Sequence, residues 1–402
     1  MENVTLEQAI ELITDSVTAV TATETVTLIE SLGRILAEDV IADFNNPPYD
    51  RSPIDGYACK AEDIADVEEG NIVKLKVIDE VFAGQYTDAV VNNGEAVRIM
   101  TGAAIPSGCD CCVWQENTDY GEDEVSIFKP VSKFENYCFA GEDFKIDTEL
   151  LKKGEKLNYV DIGVLASAGR GQVNVYKKPS IALITTGDEV MTPGEKLNKG
   201  CIYNSNQSLI ATRLIELGYG ACIVTEAADN AGAVAKKITD AFDTADIVIT
   251  TGGVSVGKKD IMHDAIKLIG AERVFWKVNI KPGSPTIYSL YNCKPIISLS
   301  GNPFGAAANF ELLVRPLIAK MSLDNSVVPR KAAGVINREF IKGGNLRRFI
   351  RAVYNEGKVY IPEGLHSAGV LASMRGCNCL VDIGAGNLGV HIGDRVNVLL
   401  IN

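Results

Sequence analysis

The sequence predicts an α/β plus β chain of several domains: a doubly wound parallel α/β domain, a β-rich inserted domain before it and a small β-domain after it. Three observations predict this. Residues 180–320 alternate short apolar runs with amphipathic helical stretches, as a parallel sheet covered on both faces requires. Residues 46–139 carry short alternating runs separated by Gly and Asn, and after Pro329 the helical pattern stops. At 402 residues the chain is also too long for one hydrophobic core.

Hydrophobic residues make up 46% and charged residues 23%, the mix of a folded rather than a disordered chain. Lys and Arg number 39 against 52 Asp and Glu, a net charge of −13. Such a surface repels phosphate backbones, which argues against nucleic acid as a partner; an anionic small substrate needs a local basic pocket. The start Met1-Glu2-Asn3-Val4-Thr5-Leu6 lacks the basic flank and apolar run of a signal peptide. No stretch reaches the ~18 consecutive apolar residues of a membrane span, so no membrane partner is expected and the predicted compartment is the cytoplasm.

The first ~35 residues read as helix, with Leu6, Ala9, Ile10 and Ile13 on one face and Thr5 as N-cap. Asn45-Asn46-Pro47-Pro48 breaks the pattern. An N-terminal linker and helical domain is therefore expected over 1–45 and 140–178, interrupted by the β-rich domain at 46–139. Residues 150–178 read as mixed polar turns. The α/β domain is expected over 179–327, with strands at Ile181, Ala221, Ile247 and Pro295. Helices are expected near 206–217, 231–242 and 260–269, with a last one ending near 320. Residues 328–402 complete the chain as the small β-domain.

Ten cysteines are present. Cys109 and Cys112 form a C-x-x-C, Cys377 and Cys379 a C-x-C, and His263, His366 and His391 are scattered. A structural zinc site requires two such pairs at defined spacing or nearby His, so small buried residues are the better reading.

In open α/β sheets, ligands bind beyond the carboxyl ends of the strands. Four such ends carry unusual loops, at 185–189, 226–229, 250–260 and 300–303. Backbone N–H groups freed by Gly252, Gly253 and Gly257 at a helix start suit an anion such as phosphate. The carboxylates Asp188, Glu189, Asp229 and Asp260 suit a divalent cation bridging that phosphate. Each Asp alone also fits a helix cap, but four loops at one sheet edge favour a site. The run from Gly252 to Lys258 is not a P-loop, because Lys259 stands where a Ser or Thr hydroxyl would bind magnesium. Lys277 and Lys281, four apart in a strand-like stretch, would share a face, either around an anion or in solvent. Asp55 fits an Asp-Gly turn as well as a site.

Several motifs in order then carry a family resemblance. They are Asn46-Pro47-Pro48-Tyr49-Asp50, Ile54-Asp55-Gly56-Tyr57-Ala58, Arg98-Ile99-Met100-Thr101-Gly102-Ala103 and Thr186-Gly187-Asp188-Glu189. There follow Gly252-Gly253-Val254-Ser255-Val256-Gly257 with Asp260, then Lys281-Pro282-Gly283 and Gly301-Asn302-Pro303. Together they resemble the molybdopterin molybdenumtransferase family, the molybdenum insertases. The resemblance implies an elongated homodimer of four-domain subunits, with the molybdopterin adenylyltransferase as a candidate partner. It implies a reaction in which adenylylated molybdopterin and molybdate are taken up, AMP is released and molybdenum stays on the dithiolene.

By that resemblance Glu189 and Asp260 hold Mg2+ at the phosphate, with Asp229 and Asp143 nearby. Asp55 and Thr101 belong to the β-rich module closing over the site, and Lys277, Lys281 and Arg351 meet pterin phosphate or molybdate. Thr186, Gly187, Asp188, Gly252, Gly253, Ser255, Gly257, Pro282, Gly301, Asn302, Pro303 and Ser367 are expected to line the molybdopterin site. There are three departures. Ser284 replaces the second lysine of the family's Lys-Pro-Gly-Lys-Pro, no arginine precedes Gly141-Glu142-Asp143, and Ala368 replaces a serine. Two outcomes therefore stand: a working insertase, or a paralogue that binds molybdopterin or partner proteins with little turnover.

Overall fold

The buried strands alternate strictly, and this alternation decides which helix covers which face. In the strand Ile181–Thr186, Ile181 and Leu183 enter one core while Ala182 and Ile184 enter another. Ile247 and Ile249 follow the first pair and Val248 the second. Both faces of the sheet are thus apolar and both must be covered by helices. This is a computed structural model, and it describes residues 1–68, 71–254, 261–342, 344–364 and 366–401. The chain divides into two compact units, one of Met1–Glu24 with Tyr176–Asn402 and one of Thr25–Val175.

In the first unit a seven-stranded sheet runs in the order Glu2–Val4, Glu272–Val278, Ile287–Tyr291, Lys294–Leu299, Ile247–Thr251, Ile181–Thr186, Ala221–Ala227. The last four are mutually parallel, as expected of a doubly wound core. Helices Leu6–Asp15, Ser205–Glu216 and Pro303–Asn309 contribute to one core, and Ala231–Ala241 and Ile261–Leu268 to the other. The sheet is not parallel throughout: Ile287–Tyr291 lies antiparallel to both neighbours. Asn292 and Cys293, both with positive φ (49° and 63°), close a two-residue hairpin to Lys294. Such a turn matches the strand twist and makes the antiparallel return local.

The N-terminal helix is shorter than its pattern suggested and covers Leu6–Asp15. Thr5 caps it in a capping box with Gln8, as predicted. The β-branched stretch beyond it forms the strand Thr23–Thr27 instead, because alternating Thr and Val favour a pleated surface. The strand Glu2–Val4 pairs in parallel with Glu272–Val278, so these first residues belong with the α/β sheet.

The C-terminal residues form a ring of strands. Arg347–Asn355, Lys358–Tyr360, Arg330–Ile336, Arg395–Leu400 and Cys379–Ile383 follow one another, and the last pairs back onto the first. Ile280–Lys281 joins this ring in parallel with Arg347–Asn355, which ties it to the α/β sheet. The ring closes around Ile336, Ile350, Val359, Val381 and Val398.

In the second unit a five-stranded sheet has the order Cys111–Trp114, Gly56–Cys59, Glu95–Ile99, Val73–Val81, Glu124–Ile127. Cys59, Cys109, Cys111 and Cys112 are buried in its cores, and burial pushes the Cys112 thiol up to about 12. Residues 150–178 are more regular than expected. Asn158 caps a helix over Tyr159–Ser167, accepting from the N–H groups of Val160 and Asp161, and the strand Gln172–Tyr176 follows. No described helix is long and apolar enough to cross a membrane.

Candidate functional site

Parallel strands present their final hydroxyls and carbonyls at one edge, and here that edge opens into a cavity of about 710 Å³. Thr185, Thr186 and Thr251 end two of the strands, and Gly187, Glu189, Asp229, Gly252, Gly253, Gly301, Asn302 and Pro303 line the space around them. Gly252 cannot be replaced: its φ is +96°, and a Cβ would lie 2.3 Å from the Thr186 carbonyl oxygen. Backbone thus approaches backbone closely where a ligand would sit. Asp188 faces a smaller adjoining cavity, and its Oδ1 accepts from the Asp229 N–H at 3.1 Å, which ties two strand-end loops together. The Thr186 hydroxyl reaches Asp229 Oδ1 at 3.4 Å.

Two asparagines escaped the sequence reading. Asn204 caps the helix Ser205–Glu216, and its amide bridges Thr185 Oγ1 at 2.9 Å and Glu226 Oε1 at 2.8 Å. Asn206 donates to the Gly301 carbonyl at 2.9 Å and to Thr251 Oγ1 at 3.2 Å. Its Oδ1 is buried with no hydrogen-bond partner. The signal was present in Asn204-Ser205-Asn206, a polar triplet opening an amphipathic helix.

A second cavity of about 420 Å³ adjoins the first and shares Pro285, Ser300 and Asn302 with it. Lys281, Pro282, Gly283, Ser284, Lys342, Arg348, His366, Ser367 and Ala368 line it, with Phe304 and Phe340. Gly283 is held there by Asn309, whose amide donates to its carbonyl at 2.9 Å. With φ at +87° and Asn309 Oδ1 2.1 Å from any added Cβ, this position also demands glycine. Among the described residues no carboxylate lines this cavity, and no Lys or Arg lines the first one. By their described lining residues, two adjoining clefts of opposite charge stand at one end of the sheet.

His366 adds no charge to the basic cleft near neutral pH. Its Nε2 lies 2.8 Å from the Pro362 carbonyl, which can only accept, so the proton sits there. Burial lowers its pKa, and the nearby Arg351, Arg338 and Lys342 lower it further.

Some predicted residues lie elsewhere. Lys277 and Lys281 do not share a strand face, because Lys277 has φ of +66° and the strand breaks between Val278 and Ile280. The Lys277 ammonium stands 4.0 Å from the centroid of the Trp276 ring, and Lys277 is not among the lining residues of the basic cleft. Arg351 is fully buried. Its guanidinium donates to the carbonyls of Ser367 and Val370 and lies 3.7 Å from the Phe304 ring centroid, so it braces the 367–370 loop from behind. Its strand is flanked on both sides.

In the second unit Asp55 Oδ1 accepts from both the N–H and the hydroxyl of Thr101, each at 2.7 Å, as the two predicted loops converge. Those bonds hold the Asp55 carboxyl below the usual range. Asp143 is exposed and accepts from Asn46 Nδ2 at 2.8 Å. Ser255, Gly257 and Asp260 lie outside the described residues. Among the described residues no group of three or more His, Cys, Asp or Glu side chains is arranged to hold a metal ion.

Comparison with known proteins covers the whole chain. Residues 4–169 match the MoeA N-terminal region (domain I and II), 182–320 a probable molybdopterin binding domain, and 333–401 the MoeA C-terminal region (domain IV). The chain is 38% identical over 379 residues to a molybdopterin molybdenumtransferase of Staphylococcus aureus, covering 94% of this chain and 90% of that one. It is 34% identical to the Staphylococcus epidermidis protein of the same name, covering 93% and 90%. A crystal structure of a molybdopterin biosynthesis MoeA protein from Pyrococcus horikoshii superposes with a TM-score of 0.87 at 30% identity, covering 100% of this chain and 99% of that one.

Proposed function

Because the chain belongs to the molybdopterin molybdenumtransferase family, we propose that it inserts molybdenum from molybdate into adenylylated molybdopterin and releases AMP. The observation that carries this reading is the pair of adjoining clefts, one lined by acids and glycines and one by cations. A phosphoanhydride with its cation suits the first, and a tetrahedral dianion suits the second. The shared Ser300 and Asn302 would lie between the two substrates.

The acidic cleft fits Mg2+. It offers oxygen donors, a backbone cradle at Gly252 that no Cβ could enter, and no described cation to compete. Glu189 and Asp260 would hold the ion, with Asp229 close by. When bound, it supplies charge neutralisation at the phosphoanhydride oxygens. The chain's own residues do the rest. The glycine loops allow close backbone approach to phosphate, and Lys281 holds the oxyanion. The 367–370 loop, braced by Arg351, presents Ser367 to it. Lys277, stacked on Trp276, is left outside this arrangement.

We also assign Asp55 and Thr101 to a lid supplied across a homodimer, and Asp143 to the neighbourhood of Asp229, in a cytoplasmic enzyme served by the molybdopterin adenylyltransferase. The domain division proposed with it is the one read from the sequence, 1–45 with 140–178, then 46–139, 179–327 and 328–402, with residues 1–24 moved to the α/β sheet they pair with. The test is a single-turnover reaction of the purified chain with adenylylated molybdopterin, Mg2+ and molybdate. AMP release with molybdenum retained on the pterin is expected. Asp260→Asn should abolish AMP release while leaving the thermal transition unchanged. Tight pterin binding without AMP release from the unaltered chain would instead identify a binding paralogue, the reading that Ser284 and Ala368 favour.

A further inference from the structure

The alternation that fills the sheet also decides what stands at its carboxyl edge. Thr185 follows Ile181 and Leu183 onto the face that helix Ser205–Glu216 covers, and its register partner on the parallel strand Ala221–Ala227 is Glu226. Register partners lie on one side of a sheet, so hydroxyl and carboxylate are neighbours. Asn204, the cap of that helix, is only 3% exposed and holds both. Its Oδ1 accepts from the Gln207 N–H at 3.1 Å, which turns its amide nitrogen toward the strands. That nitrogen donates to Thr185 Oγ1 at 2.9 Å and to Glu226 Oε1 at 2.8 Å. Having accepted a bond, the Thr185 hydroxyl still has its own proton to donate, and no described acceptor takes it. Glu226 likewise keeps Oε2, which no described donor reaches. One donor and one acceptor are thus held side by side.

Thr185, Asn204 and Glu226 line a third cavity of about 230 Å³ with Asp188 and Val190. This cavity opens off the acidic cleft, sharing Thr185, Thr186, Gly187, Val190 and Asn204 with it, and shares no lining residue with the basic one. The acidic cleft therefore lies between the other two. In an adenylylated pterin the phosphoanhydride likewise lies between the pterin and the nucleoside. With molybdate at the basic cleft and the phosphoanhydride at the acidic one, the nucleoside falls to the third cavity. Two carboxylates and no described Lys or Arg make that cavity hostile to phosphate. They suit a neutral sugar, whose hydroxyls each donate and accept. Doubly wound folds use an acid at the end of a strand for the same purpose.

We propose that the third cavity is the ribose subsite, where one sugar hydroxyl donates to Glu226 Oε2 and accepts from Thr185, the two groups held in place by Asn204. This rests on the reading of the chain as an enzyme that releases AMP.

The test is equilibrium binding of AMP, 2′-deoxyAMP and 3′-deoxyAMP to the full-length chain in Mg2+, with inorganic pyrophosphate as the probe that has no sugar. At least one deoxy form should bind about tenfold more weakly than AMP, as one lost charge-assisted hydrogen bond implies. Glu226→Ala should weaken AMP about as much and close the gap to that deoxy form, leaving pyrophosphate unchanged. Asn204→Asp keeps the helix cap but not the two donated bonds, and should narrow the same gap. Thermal melting identifies folded variants; if Glu226→Ala does not fold, Glu226→Gln carries the comparison, with the gap narrowed. If the unaltered chain binds AMP and both deoxy forms alike, or if the gap survives intact in the folded Glu226 variant, the ribose assignment falls and the AMP-releasing reading stands. If pyrophosphate weakens along with AMP, Glu226 serves the phosphate or its cation and the proposal is overturned. If the unaltered chain binds neither AMP nor pyrophosphate, the AMP-releasing reading falls and the assignment with it.

Discussion

At the scale of single residues, the site depends on where each cation's donors are directed. Lys281→Ala should raise the molybdate concentration for half-maximal insertion about tenfold, the ~1.4 kcal/mol of one charge-assisted hydrogen bond, with nucleotide binding little changed. His366 makes the same cleft sensitive to pH. Its folded pKa is lowered, chiefly by burial, so the folded chain resists the proton that the unfolded chain accepts below about 6.5. Stability should therefore be unaffected at higher pH and decline as pH falls through that value, while any imidazolium formed strengthens oxyanion binding. Titrating molybdate affinity and melting temperature from pH 8 to 5.5, with His366→Gln as the variant that flattens both trends, checks this. Lys281 was legible because Pro282 and Gly283 follow it and the motif is rigid. Arg348 was not, because its partner strand is two residues long and is brought alongside by tertiary pairing alone. Asn206 escaped for a related reason: its partners Thr251 and Gly301 lie 45 and 95 residues away.

At the scale of elements, a buried ion cluster is set into the apolar packing at the C-terminal end of the α/β core. Glu311, in the widened turn Phe310–Val314, lies between Arg213 and Arg315, and both Glu311 and Arg315 are buried. Glu311→Gln removes the anion and strands a buried guanidinium, which should cost about 3–5 kcal/mol and lower the first thermal transition by several degrees. Thr5→Ala removes a capping box from an amphipathic helix and should cost only about 1 kcal/mol. Helices such as Ala231–Ala241 were legible because Val234, Ala235, Ile238 and Ala241 repeat at helical spacing. Tyr159–Ser167 was not, since Leu165 alone is buried and the cap at Asn158 carries most of the signal. The hairpin at Asn292-Cys293 was missed because cysteine is an unusual partner for a left-handed turn.

At the scale of the whole molecule, a net charge of −13 opposes the approach of any dianion, while the basic cleft gathers Lys281, Lys342 and Arg348 with no carboxylate among its described lining residues. Molybdate affinity should therefore fall steeply between low and physiological salt, measured by the same binding titration, whereas a buried, apolar site would show little change. If the Asp55 and Thr101 lid comes from a second subunit, light scattering should find a dimer at micromolar concentration, and an active monomer would remove the shared lid from the mechanism. The parallel core itself was legible from the alternation of apolar runs and helices, though the order of its strands was not. The attachment of Glu2–Val4 to a strand some 270 residues later was not, since three residues carry no pattern of their own.

The three residues common to both clefts have a consequence for the direction in which a ligand enters. Among the described residues, acids line one side of Pro285, Ser300 and Asn302 and cations the other, so these side chains set a charge asymmetry in the protein frame. A ligand whose own charge is uneven along its length feels a torque there before it makes any contact. Approach with the wrong end first is opposed over roughly one Debye length, about 8 Å at physiological ionic strength. Selection of polarity would then precede selection of shape, and a ligand reversed end for end would be turned away in solution rather than rejected after docking.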